Sequence, residues 1–275
     1  MMSCTKSTQN SQPEFNEQPL VTKLIGRVPE VSGIAAATTN GSNLLWLIED
    51  SGNPARMALV NKNSELVKYV DVPGSVNRDW EDIISILHQD RSPLKREIYI
   101  GDIGNNDAAS IDAVIYHFDE PETGAYLIGQ VQAIHFSYDD GPRDAEAFLV
   151  DQKTRDIFII TKRDSRSRIY RITYPYQTQN TAKFAGELPY TGVVSASAGA
   201  GDMEFLVKTY QKVYHYRRNG NESIPTCLLG TSLPAPYQQE LQGESICFAW
   251  DGSGYYTLSE TPLGGDQSLY FYKRN

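Results

Sequence analysis

Residues 76–83 read VNRDWEDI and residues 142–148 read PRDAEAF. Arg-Asp-x-Glu thus occurs twice, each time leading into an apolar run. In isolation such a motif suits a pair of catalytic carboxylates, a metal-binding ring or the corner of a repeated fold. The rest of the chain favours the repeat. Five segments share one shape, a small or acidic residue and an apolar run, then a turn and a second apolar run. They begin VSGIAAATTNGSNLLWLIED, WEDIISILHQDRSPLKREIYIGD, AEAFLVDQKTRDIFIITKR, VSASAGAGDMEFLVKTY and GESICFAWDGSGYYTLSE. Their leading residues, Ser32, Glu81, Glu146, Ser195 and Glu244, are spaced by 49, 65, 49 and 49 residues. The long interval carries the insertions RSPLK and NNDAASID.

Each unit goes on to a third run, RMALVN, AVIYHFDEP, SRIYRITYP, KVYHYRR or SLYFYKR, and in four of these Tyr, Ile and Val sit beside Arg, Lys or His as in half-buried strands. Fourth runs are ELVKYVDV, AIHFSYDD, AKFAGELP and TCLLGTS, and the fifth unit reaches Asn275 without one. The run KLIGRVP at 23–29 precedes the first unit and is placed to complete the last. Units of about 40–50 residues with four strands each predict a β-propeller. The expected fold is all-β, a five-bladed propeller of four-stranded blades closed by an N-terminal strand. A sixth blade would require strands to be misassigned. A large sandwich or jelly roll fits the strand count but leaves the regular interval unexplained.

Composition agrees with a globular β protein: of 275 residues 40% are apolar and 21% charged, with 17 Tyr against 9 Phe and 3 Trp. The formal charge of −9 argues against nucleic acid as a partner, because phosphate binding needs a basic footprint. No apolar stretch reaches the roughly 18 residues of a membrane span. Residues 1–22 are expected to be a disordered tether, and residues 23–275 one domain. Within the tether, Cys4 follows Ser3 and precedes polar Ser/Thr/Gln/Asn/Pro sequence, as in a bacterial lipoprotein after its cleavage site. Cys4 is therefore the expected lipidation site and the only expected link to a membrane. No basic and apolar signal precedes it, so the precursor is expected to start further upstream. A cytosolic tail with an incidental cysteine is the alternative. Cys227 and Cys247 lie in apolar runs and are expected to be buried free thiols.

A propeller places the first strand of each blade innermost, so equivalent residues converge on one mouth of the central channel. Glu81, Glu146 and Glu244 are then expected to meet there with Ser32 and Ser195. The ends of the second strands add Glu49-Asp50, Asp102, Lys162-Arg163, Lys208 and Ser259-Glu260, and the repeated motif adds Arg78, Asp79, Arg143 and Asp144. So much charge in a narrow channel must be neutralised, by salt bridges or by a hard divalent cation. Calcium, with six to eight oxygen ligands, suits such a ring, with Glu81, Glu146 and Glu244 as expected ligands. Zinc would require His or Cys, and the four histidines (His88, His117, His135, His215) lack ligand spacing.

DSGN (50–53), DWEDI (79–83), GDIGNN (101–106), DAEAF (144–148), VKTY (207–210) and GES (243–245) resemble a group of bacterial secreted or lipid-anchored β-propeller proteins. That group is distantly similar to the calcium-dependent propellers that include lactonases, regucalcin and propeller phytases. The resemblance implies an acidic residue near the start of the fourth unit, where this chain reads SASAG. It supports the fold more than any activity. Three functions are open: a monomeric cell-envelope module that binds a small molecule or cell-surface ligand, a hydrolase, or a scaffold. In a glycosidase, Asp79/Glu81, Glu146 and Glu244 would supply acid, base and orienting groups, given two carboxyls roughly 5–9.5 Å apart. In a metal-assisted hydrolase of a lactone or phosphoester, Glu81 or Glu146 would be the base, with Arg143, Lys162 and Lys208 holding an anionic group.

Overall fold

A computed structural model of the chain describes residues 14–26, 28–37, 44–61, 63–88, 95–107, 109–110, 112–122, 124–261 and 265–275. Cys4 and most of the expected tether lie outside the described residues.

The described chain is all-β, with twenty strands, one short α-helix and a 3-10 turn at Ala200–Asp202. After β1 (Leu20–Lys23), the strands fall into consecutive antiparallel meanders. The first holds β2 (Val31–Ala37), β3 (Leu44–Glu49), β4 (Arg56–Val60) and β5 (Leu66–Asp71). The second holds β6 (Trp80–His88), β7 (Lys95–Asp102), β8 (Ala113–Asp119) and β9 (Gln132–Tyr138). The third holds β10 (Ala145–Val150), β11 (Ile157–Thr161), β12 (Arg168–Ile172) and β13 (Asn180–Glu187). The fourth holds β14 (Val193–Ala198), β15 (Glu204–Thr209), β16 (Val213–Arg217) and β17 (Leu233–Ala235). The last, β18 (Gly243–Phe248), β19 (Gly254–Ser259) and β20 (Ser268–Lys273), takes β1 as its outer strand. A parallel pairing of β9 with β13 merges the second and third meanders into one eight-stranded sheet.

First strands pack in a closed circuit, β2 against β6, β6 against β10, β10 against β14, β14 against β18 and β18 against β2. They are buried on both faces, which is why they read as continuous small and apolar runs rather than alternating ones. The approach is close: a Cβ on Gly33 of β2 would lie 2.9 Å from the backbone nitrogen of Ile83 on β6. Side chains bind the circuit together. Ser32 Oγ donates to the Trp80 carbonyl at 2.6 Å, Ser197 Oγ accepts from Phe248 N at 3.1 Å and Ser195 Oγ accepts from Ile246 N at 3.3 Å. Cys227 and Cys247 are buried free thiols.

Three expectations are corrected. TCLLGTS overlaps a helix, α1 (Ile224–Leu228), not a strand. Ser223 caps it by accepting from Thr226 N, and Pro225 in the first turn needs no donor partner there. The outer strand of that unit is instead the three-residue β17, whose Pro234 an edge strand tolerates. The closing strand β1 starts at Leu20, ahead of the KLIGRVP run, and pairs Val21 with Tyr270. Packed structure is also found before residue 22: Phe15 is 1% exposed, bridges to Arg274 and packs edge-on against Tyr255 and His215. One aromatic residue in a polar stretch was enough to anchor it.

Candidate functional site

Every first strand carries a β-bulge near its start, and the bulged residues are Ser32, Glu81, Glu146, Val194 and Glu244. A bulge re-aims one side chain out of the strand alternation, which is how an acidic residue leaves the apolar face of an inner strand. The fourth unit is therefore aligned one residue earlier than the 49-residue interval suggests: Val194 corresponds to Glu81, and the unit contributes no hydroxyl or carboxyl at that level. Ser195 instead pairs with Lys208 in the strand register and turns toward the axis. There its Oγ lies 3.2 Å from Oδ1 of Asp82. Asp82 is fully buried and also accepts from Ile83 N at 3.0 Å and Ala196 N at 3.2 Å. Burial pushes its carboxyl well above the usual range despite these donors. Asp82 thus ties its own strand β6 to β14 beneath the mouth, a role the sequence reading missed although the residue adjoins Glu81.

The bulge register also fixes the next level. The residues following the second-strand partners are Asp50, Ile103, Lys162, Tyr210 and Glu260, so Tyr210, not Lys208, belongs to the mouth. Amides of Asp50, Lys162 and Glu260 donate to the carbonyls of Glu30, Asp144 and Gln242 at 2.8, 3.0 and 2.9 Å, fixing these side chains relative to the first strands.

The mouth divides into two halves. On one side Lys162 Nζ donates to Glu146 Oε1 and, at 3.0 Å, to the Tyr210 hydroxyl, and lies 3.8 Å from Glu244 Oε1. Tyr210 in turn donates to Glu244. Glu146 keeps one buried oxygen, Oε2, without a partner. On the other side Asp50, Asp79 and Glu81 each place one carboxyl oxygen within 4.8 Å of the other two. Among the described residues no salt bridge or hydrogen bond from a cationic group reaches these three. Glu81 is only 6% exposed.

The nearby cations are committed elsewhere. Arg78 Nε bonds Asp102 Oδ2 at 2.8 Å, and Asp102 Oδ1 accepts from Asp79 N at 2.8 Å, so Asp102 positions the Asp79 backbone from a buried site. Arg163 Nε lies 2.5 Å from Asp144 Oδ2, whose other oxygen takes Asn105 N at 2.8 Å. Arg143 spans Asp140 and Asp164 at 2.8 and 3.0 Å. Lys208 is fully buried and donates to the carbonyls of Gly243 and Thr209. Arg143 is thus held between two carboxylates, and Lys208 is shut away from solvent. GDIGNN is the connector: Asp102, Gly104 and Asn105 touch Asp79, Glu81 and Asp144 respectively.

Charge crowding marks the acidic half. Burial, then the negative charge of Asp50, pushes Asp79 up to about 7. Burial and the charges of Glu146, Asp50 and Asp79 hold Glu81 well above the carboxylate range. Glu260 rises to about 9 through burial and its contact with Glu244. Burial also raises Glu146 to about 8, against the opposing pull of Lys162. A hard cation would relieve this crowding, and the all-oxygen donor set at Asp50, Asp79 and Glu81 fits one. The expected ligands Glu146 and Glu244 sit with Lys162 instead.

The sequence matches no family model, and no curated protein matches it. Among solved structures, the hydrazine synthase of Kuenenia stuttgartiensis is similar with a TM-score of 0.44 at 11% identity, covering 89% of this chain and 71% of that one. A luciferin-regenerating enzyme superposes with a TM-score of 0.51 at 10% identity, covering 94% of this chain and 97% of that one. At 10% identity the second likeness shows a shared propeller-like, all-β fold and nothing of its chemistry.

Proposed function

We propose that the chain is a five-bladed propeller serving as a binding module of the bacterial cell envelope, with one hard divalent cation, calcium by preference, held at Asp50, Asp79 and Glu81. The observation that carries this is the convergence of three carboxyl oxygens within 4.8 Å of one another with no cationic side chain among them. Backbone carbonyls and water would complete the six to eight oxygens calcium takes. The ion would order the DSGN and GDIGNN loops, and the mouth they frame would receive a small molecule or cell-surface ligand. Placement at the envelope rests on the Cys4 tail and the resemblance of the motifs, and mass spectrometry of protein matured from its native precursor tests it.

Thermal unfolding with calcium and with a chelator tests the cation. An ion at a hundredfold excess over its Kd stabilises by about 2.7 kcal/mol, several degrees in Tm for a chain of this size. Asp79→Asn should abolish that response. An unchanged Tm in the wild type overturns the proposal.

A hydrolase acting on a lactone, phosphoester or glycoside is the second possibility, supported by the unpartnered Glu146 oxygen at the mouth. With its pKa at about 8, Glu146 could exchange a proton near neutrality. Chromogenic substrates of the three classes test it, and a Glu146→Gln variant as active as the wild type would remove Glu146 from the chemistry.

A further inference from the structure

The two halves of the mouth are built alike but compensated differently. The register aligns Lys162 with Asp50 and Glu260, so the third unit carries a cation where the first and fifth carry acids. Around its ammonium stand Glu146 Oε1, the Tyr210 hydroxyl at 3.0 Å and Glu244 Oε1 at 3.8 Å. Those are oxygen donors of the kind a hard cation collects. Independently, Glu146 is 4% exposed and its buried Oε2 has no hydrogen-bond partner, so the ammonium does not saturate the oxygens around it. The stem of Lys162 is itself largely buried, its side chain 12% exposed, which keeps the charge in place.

We propose that Lys162 is a tethered counter-ion standing in the place of a second divalent cation, so that it sets the mouth at one ion instead of two. The inference rests on the cation site described under Proposed function. Without the ammonium, Glu146, Glu244 and Tyr210 form a second oxygen cage beside Asp50, Asp79 and Glu81. Lys162 thereby becomes the specificity determinant of the site, since it replaces an exchangeable ion by a permanent charge.

Isothermal titration calorimetry with calcium, on the full chain, reads the stoichiometry. Wild type should bind one ion, Lys162→Gln two, and Lys162→Arg one. Should Lys162→Gln fail to fold, the wild-type background still discriminates. Glu146→Gln should keep the single ion, weakened by no more than about tenfold (1.4 kcal/mol), whereas Asp79→Asn should lose it. One ion in both wild type and Lys162→Gln overturns the counter-ion inference alone, as does loss of the ion in Glu146→Gln. A wild-type protein that binds no calcium overturns the cation site and this inference with it.

Discussion

A Cβ on Gly104 would collide with Oε1 of Glu81 and Oδ2 of Asp79. Both are the ends of side chains that can swing away, so Gly104→Ala should alter stability by no more than about 1 kcal/mol. Displacing two of three ligand oxygens should nevertheless weaken calcium binding at least tenfold. Urea unfolding in chelator and calorimetric titration separate these two effects. A different outcome is expected below the mouth, where Lys208 is fully buried and Glu240 7% exposed. Burial lowers the Lys208 amine to about 8, with Glu240 opposing, and raises Glu240 to about 7, with Lys208 opposing. Lys208→Met leaves a buried carboxyl without its counter-charge and should cost about 3 kcal/mol in urea unfolding at pH 7. The double variant with Glu240→Leu should recover most of the loss. Strict additivity would mean that the two groups do not compensate each other.

At the scale of elements, the N-terminal segment stands out as a second fastening beside β1. Asn16 N donates to the Lys273 carbonyl and Asn275 N to the Glu14 carbonyl, while Glu14 reaches Arg217, Arg274 and His215. It thereby joins the fourth unit to the fifth. Phe15→Ala empties the centre of this contact and should cost about 3 kcal/mol, measured by urea unfolding. A loss below about 1 kcal/mol would mean the segment is only laid on the surface. Phe15 also shows what the sequence conceals, since one apolar residue among polar ones has no periodicity to announce it. Inner strands were legible because burial on both faces requires continuous apolar runs, and the outer ones because Tyr, Ile and Val alternate with charges. Glu81, Glu146 and Glu244 were legible as equivalent positions for the same reason. The register of the fourth unit was not: Val194 and Ser195 are both compatible with an inner strand, and only the bulge distinguishes them. Reading the fourth unit's second strand by its charge put Lys208 at the mouth, where the register places Tyr210. It also hid the division into a lysine half and an uncompensated half, which depends on which side chains meet across units.

For the whole molecule, the crowded carboxyls couple stability to pH. Asp79 at about 7, Glu146 at about 8, Glu240 at about 7 and Glu260 at about 9 are all raised above their ordinary values, with burial the largest cause in each. Glu81 shifts in the same direction. A raised carboxyl keeps its proton in the native state at a pH where the unfolded chain has lost it. Its contribution to stability is complete below about pH 4, near the unfolded value, and is lost as pH rises through the folded one. The metal-free protein should therefore lose stability steadily between about pH 5 and pH 9. Calcium must displace the protons of its ligands Asp79 and Glu81 to bind, so its affinity should rise with pH through about 7 and protons should be released on binding. Melting curves in chelator should accordingly fall with pH while those in calcium fall less, the gap widening toward alkaline pH. Glu81→Gln removes one of the crowded charges and should flatten the chelator series while closing the gap. Parallel series in chelator and calcium, with Glu81→Gln leaving both unchanged, would mean that the crowding at the mouth is balanced by protons and by Lys162 alone.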